Sequence, residues 1–120
     1  MPHAAAYFDF LILCEEKNTR ILQYSSHISP NLLALFVMVA LKHDMHQSLT
    51  VSDAMALQDL ASSAALHKRI DDLRAAGMIN LVFKENDKRT KYLVPSETGN
   101  RYLKFMGQLL RTSSKRKAMT

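Results

Sequence analysis

Three groups of side chains in this chain have types and spacings that chemistry could use. His43 and His46 stand three residues apart, which could bring two imidazoles to one metal ion. No third strong ligand is adjacent, and a histidine near a helix C-terminus is favoured by the helix dipole alone, so no metal or other cofactor is expected. Ser62 and Ser63, just before His67, superficially suggest a nucleophile and its base, but helix capping explains the serines more simply. Cys14, the single cysteine, is a candidate redox thiol. Glu15 and Glu16 follow it directly and disfavour the thiolate, so a buried structural cysteine is the better reading. The chain has no glycine-rich phosphate loop, no nucleophile elbow and no clear acid–base pair. It is not expected to be an enzyme.

The remaining candidates suit a polyanion. KENDKRTK, residues 84–91, carries Lys84, Lys88, Arg89 and Lys91 against Glu85 and Asp87. A charged tip on a two-stranded hairpin fits beside a narrow minor groove, whose negative potential attracts arginine. Asp87, two residues before Arg89, is close enough to pair with it and aim it. Upstream, Ser63, Ala64 and Ala65 are small enough to let a helix N-terminus approach a duplex, and alanine can meet a thymine methyl. His67 and Lys68 can donate to bases or phosphates. The charge distribution agrees: residues 61–120 hold a net +8 and residues 1–60 a net −3, within an overall +5. So polarised a chain directs its second half at a polyanion.

These residues need a scaffold, and the sequence reads as one. Ser29-Pro30 is an N-cap followed by a first-turn proline, opening a helix over 30–45. Its interior, LLALFVMVAL, is apolar on every side and predicts a central helix packed on all faces. Residues 4–24 also read as helix, with apolar excess at Tyr7, Phe8, Phe10, Leu11, Ile12, Leu13 and Cys14 that predicts a subunit contact. Thr50-Val-Ser-Asp53 is close to a capping box and starts a helix over 51–58. A turn over 58–61 leads to Ser62, which caps a helix with Leu66, Ile70 and Leu73 as its buried stripe. Gly77 stops that helix. Residues 79–84 and 90–94 are strand candidates joined by a tip over 85–89. Ser96 caps a last helix over 96–112, with Tyr102, Phe105, Met106, Leu109 and Leu110 as its stripe, before a frayed tail. Gly107 interrupts the stripe at a cost of about 1 kcal/mol unless a close helix approach repays it.

Helix, turn, helix and basic hairpin, in that order over residues 49–99, resemble the winged helix-turn-helix of the MarR family of bacterial transcriptional regulators. LTVSDAMAL matches the first helix of the motif, SSAALHKRIDDLRAAGMI the recognition helix and its exit, and NDKRTKYLVPSETG the wing. The family's wing reads Asp-x-Arg, a strand, then Leu-Thr-x-x-Gly. Asp87-Lys88-Arg89 matches the first part, and Pro95-Ser96-Glu97-Thr98-Gly99 the second, with Pro for Leu and Ser for Thr. The resemblance implies that Arg89 enters the minor groove, that Asp87 steadies it, and that the outer helices form a two-fold dimer interface.

The expectation is therefore a mainly α protein with a small β-hairpin. It is a single winged-helix domain over 1–120: an N-terminal dimerisation helix in 1–28, the winged helix-turn-helix in 29–99, and a C-terminal helix with a basic tail in 100–120. It would act as a cytoplasmic homodimeric regulator on double-stranded DNA, with helix 62–76 in the major groove and wing 84–91 in the minor groove. The DNA-binding residues would be Ser63, Ala64, His67, Lys68, Asp87, Lys88, Arg89 and Lys91. No apolar run reaches the ~20 residues of a membrane span. The alternatives are a winged-helix module that binds protein through the same surface, and a ligand- or redox-gated sensor using Cys14.

Overall fold

The computed structural model describes residues 2–16, 29–84 and 86–118, and among these the side chains of 4–13, 29–84 and 86–114. The elements are α1 (Pro2–Glu16), α2 (Pro30–Asp44), α3 (Val51–Met55), α4 (Ser63–Ala75), β1 (Ile79–Lys84), β2 (Asp87–Pro95) and α5 (Glu97–Ala118). The described residues of 27–99 form one compact unit, and those of 1–26 with 100–120 form another. The first carries every predicted DNA-binding residue.

Its helices begin and end where local chemistry dictates. Ser29 accepts the Leu32 N–H at 3.3 Å, with Pro30 in the first turn of α2. Thr50 and Asp53 complete a reciprocal capping box on α3: the Thr50 hydroxyl accepts the Asp53 N–H at 3.0 Å, and the Asp53 carboxylate accepts the Thr50 N–H at 3.1 Å. Ser62 caps α4 by accepting the Ala65 N–H at 3.2 Å. Gly77, at φ 74°, closes α4 with both bonds of a Schellman motif, Gly77 N–H to the Arg74 carbonyl and Met78 N–H to the Leu73 carbonyl, each 3.0 Å. His46 plays the same part after α2 at φ 59°, donating to the His43 carbonyl while Gln47 donates to that of Lys42.

The core of this unit joins Leu35, Phe36 and Val39 of α2 to Leu66, Ile70 and Leu73 of α4, with Ala54, Met78, Ile79 and Leu93. The predicted stripe of α4 is the buried one. α4 packs on α2, α3 and β1, while β2 packs on α2 and α3. The hairpin also gains a third segment that the sequence did not announce: Leu93 donates to the Leu49 carbonyl at 2.7 Å, and Thr50 bridges Tyr92.

Two helix ends and the packing of α2 differ from expectation. α3 ends at Met55, not 58, because residues 56–60 turn back through short-range bonds such as Leu60 N–H to the Leu57 carbonyl. α2 is not packed on all faces: Val37, Leu41 and Met45, spaced i, i+4 and i+8, are 45–49% exposed, since the core engages the side bearing Leu32, Leu35, Phe36 and Val39. α5 continues to Ala118 where a frayed tail was expected. Arg and Lys are good helix formers there, suit a helix C-terminal end, and meet no Gly or Pro. α1 is described only to Glu16; the predicted helix over 17–24 and the side chain of Cys14 lie outside the described residues.

Candidate nucleic-acid interface

The first half of the candidate surface is α4. Burial of Leu66, Ile70 and Leu73 turns Ser63, Ala64, His67, Lys68, Asp71, Arg74 and Ala75 outward. Ser63, expected to face a duplex, has its hydroxyl proton engaged elsewhere: it donates to the Met55 carbonyl at 3.1 Å. That bond ties the start of α4 to the end of α3 and leaves the Ser63 oxygen only as an acceptor. His67 and Lys68 each have a carboxylate one turn on. His67 Nδ1 lies 3.5 Å from an Asp71 oxygen, and Lys68 Nζ lies 3.2 Å from Asp72. Both pairs are well exposed, so they add little stability.

The second half is the hairpin tip. Phe83 faces Lys91 across the ladder, but Lys84 faces Asp87, so Lys88, Arg89 and Thr90 are inserted on one strand as a bulge. β2 therefore starts at Asp87, three residues before the expected 90. Asp87 shapes this bulge. Its carboxylate accepts the Arg89 N–H at 3.0 Å and the Thr90 N–H at 3.2 Å, an Asx-type turn. The expected pairing with the Arg89 side chain is replaced by a bond to the Arg89 backbone. Asp87 thus sets where the arginine's Cα stands, and the guanidinium forms no ion pair among the described residues. Lys84 Nζ sits 4.2 Å above the Tyr92 ring and Lys91 Nζ 5.6 Å from the Phe83 ring, cation–π contacts that spread the two ammonium groups along the wing.

Those backbone bonds, that to Arg89 first and then contacts with Thr90 and the charge of Lys84, hold the Asp87 carboxyl below the usual carboxylate range. Its bracing of the bulge is complete above the unfolded value of about 3.9 and is lost as the pH falls through the lower folded value. Asp87→Ala is expected to speed amide hydrogen exchange at Arg89 and Thr90 while leaving that of the α4 core unchanged. In the parent protein the same two amides should stay protected down to about pH 4 and loosen only in more acid solution. Equal exchange in parent and variant would remove Asp87 from this role.

Two open grooves adjoin these elements. One, of about 730 Å³, runs between α4 and β1 and is lined by Asp71, Arg74, Asn80 and Lys91, among others. The other, of about 430 Å³, lies between the start of α3 and the wing, along Thr50, Ser52, Lys88, Arg89 and Lys91. Lys91 lines both, and so lies between α4 and the wing. Ala64, His67 and Lys68 border neither of these two. Arg74, Asn80 and Ser52 were not anticipated. Arg74 alone left a signal, three residues beyond Asp71 on the same exposed side of the helix. His43 Nδ1 contacts Ser48 Oγ at 2.9 Å, and among the described residues no three His, Cys, Asp or Glu side chains are grouped so that they could hold a metal ion.

A helix pair whose second helix has an exposed polar side, followed by a cationic bulged hairpin, defines a winged helix-turn-helix. Solved structures share this fold. RV1404 from Mycobacterium tuberculosis matches 98% of this chain and 76% of its own at 15% identity, with a TM-score of 0.61. The S. aureus MepR–DNA complex matches 92% of this chain and 88% of its own at 16% identity, with a TM-score of 0.57. The transcriptional regulator Tm0710 from Thermotoga maritima matches 89% and 76% at 13% identity, with a TM-score of 0.58. No protein family profile and no curated protein matches the sequence.

Proposed function

We propose that this protein binds double-stranded DNA sequence-specifically as a homodimer and regulates transcription, with helix 62–76 in the major groove and wing 84–91 in the minor groove. The observation that carries this reading is the bulge built on Asp87, which sets Lys88 and Arg89 out of the ladder, in a groove that Lys91 links to the recognition helix. A module that bound protein through the same surface would expose apolar anchors on α4. The exposed residues there are small or polar. MepR, similar in fold, is solved as a DNA complex. Selecting bound fragments from a random duplex library tests the proposal: an enriched palindromic site supports it, and a library unchanged after several rounds would end it. No described helix is long and apolar enough to cross a membrane, and the cytoplasm is the proposed location.

The homodimer rests on α1. Tyr7, Phe8, Leu11 and Ile12 fall on one side of that helix and are 45–60% exposed, while Asp9 and Leu13 are buried. Four large apolar side chains left in water on one helix face are the usual mark of a subunit contact. Sedimentation equilibrium at micromolar concentration is expected to give about twice the 13.6 kDa chain mass. A Phe8→Glu variant should shift it towards the monomer. A parent protein that sediments as a monomer, free and on DNA, contradicts the dimer.

A further inference from the structure

We infer that the groove between α4 and β1 seats the sugar–phosphate strand that separates the two grooves of the duplex, with Arg74, Asn80 and Lys91 as its phosphate contacts. This rests on the DNA-binding reading above. Adjacent major and minor grooves share one strand as their common wall. A helix in the first and a wing in the second therefore have that strand between them. α4 ends at Ala75 and β1 begins at Ile79, on either side of the Gly77 turn, so helix and hairpin diverge from one corner. The groove of about 730 Å³ lies in that corner, on the path of the shared strand.

The lining supplies donors from both sides. Arg74 comes from α4, and Asn80 and Lys91 come from the hairpin. Neither cation makes an ion pair among the described residues, and the Phe83 ring beside Lys91, 5.6 Å from its Nζ, leaves the ammonium its charge. The backbone adds a further donor. Leu93, opposite Leu81 in the ladder, gives its N–H to the Leu49 carbonyl on the far side. Opposed residues of an antiparallel pair exchange both bonds or neither. The Leu81 N–H and carbonyl therefore point away from β2, to the open edge of the sheet. Four consecutive residues, Ile79 to Val82, line the groove, so it runs along that edge.

Asp71 is the one carboxylate in this lining. It repels a phosphate, so the strand sits towards Arg74 and Lys91, and it lowers affinity for every duplex alike. Phosphate contacts carry no base identity; they fix register and orientation. Arg74, Asn80 and Lys91 thus hold α4 and the wing in their two grooves, while sequence is read elsewhere on the surface.

The test uses the full-length protein and a duplex enriched from a random library, with one phosphate at a time replaced by a neutral methylphosphonate. Affinities are read by fluorescence anisotropy. In the parent protein, one or two neighbouring replacements per half-site should cost about three- to tenfold, the effect of one net hydrogen bond. Arg74→Ala, an exposed change in a helix, should lose that sensitivity and keep the sensitivity at other phosphates. It should weaken the enriched duplex and a shuffled one by the same factor, and flatten the slope of log affinity against log salt by about 0.9 per subunit. Asn80→Ala should weaken the same phosphate contact without changing the slope. Asp71→Asn should tighten both duplexes equally. An Arg74→Ala protein with the parent's affinity and phosphate sensitivities, or one whose base preference changes, overturns the proposal and leaves DNA binding intact. Failure to enrich any duplex overturns the DNA-binding reading and this inference with it.

Discussion

Gly99→Ala is expected to destabilise the protein by about 3 kcal/mol or more, whereas Gly107→Ala, in the same helix, should stabilise it by about 1 kcal/mol. At Gly99 a Cβ would run into the Met78 carbonyl oxygen and come within 3.0–3.2 Å of the Phe36 ring. Neither neighbour can give way. Met78 and Phe36 are fully buried, and the Met78 carbonyl already accepts the Ser96 N–H at 2.9 Å. The joint is reinforced by Ser96, whose hydroxyl donates to the Gly77 carbonyl and accepts the Gly99 N–H at 2.9 Å. The gain in helix propensity from alanine, at most about 1 kcal/mol, is too small to offset the overlap. At Gly107 a Cβ would meet nothing within 4 Å, so only the propensity gain remains. The close helix approach that could have justified this glycine does not occur among the described residues. Urea midpoints of the two variants against the parent decide the matter, and equal shifts of the same sign would contradict the packing described here.

Arg89→Ala is the substitution expected to cost the most DNA affinity, about 1–3 kcal/mol, the range of a specific base-edge contact. Its guanidinium, without an ion-pair partner among the described residues, is carried on a bulge whose backbone Asp87 holds. In a narrow minor groove such a group would sit in focused negative potential, whereas Lys88 and Lys91 would only neutralise phosphates along the way. The loss should be larger on A·T-rich flanks than on G·C-rich ones. Asp87→Ala should reproduce it in milder form, because the bulge loosens while the charge remains. Anisotropy titrations on paired duplexes read both effects. An Arg89→Ala protein that binds every duplex as tightly as the parent would reduce the wing to a lysine-guarded edge.

What the sequence disclosed was chemistry that acts over one helical turn or one hairpin. Thr50 and Asp53 cap each other, Gly77 closes α4, and Leu66, Ile70 and Leu73 face the core, because each depends on neighbours three to seven residues away. The winged-helix architecture followed from the order of those parts. The details of the candidate site were less visible. Asp87 had two plausible partners in Arg89, side chain or backbone amide, and only the bulge register selects the amide. The Ser63 hydroxyl meets a carbonyl eight residues away, across a turn whose course the sequence does not specify. Arg74 and Asn80 come to line one groove only when β1 packs on α4. The outer side of α2 stays exposed because the unit is too small to enclose a helix that is apolar all round.

The central claim is that the α4 and wing surface binds duplex DNA. The most direct measurement is the affinity of the parent protein for an enriched duplex and for its shuffled counterpart across a series of salt concentrations. Tighter binding to the enriched duplex at every salt is predicted. The logarithm of its binding constant should fall linearly with the logarithm of salt, by about 0.9 per phosphate neutralised, and this slope should flatten in Lys88→Ala and Lys91→Ala. Binding that ignores salt, or that fails to separate the two duplexes, would contradict it.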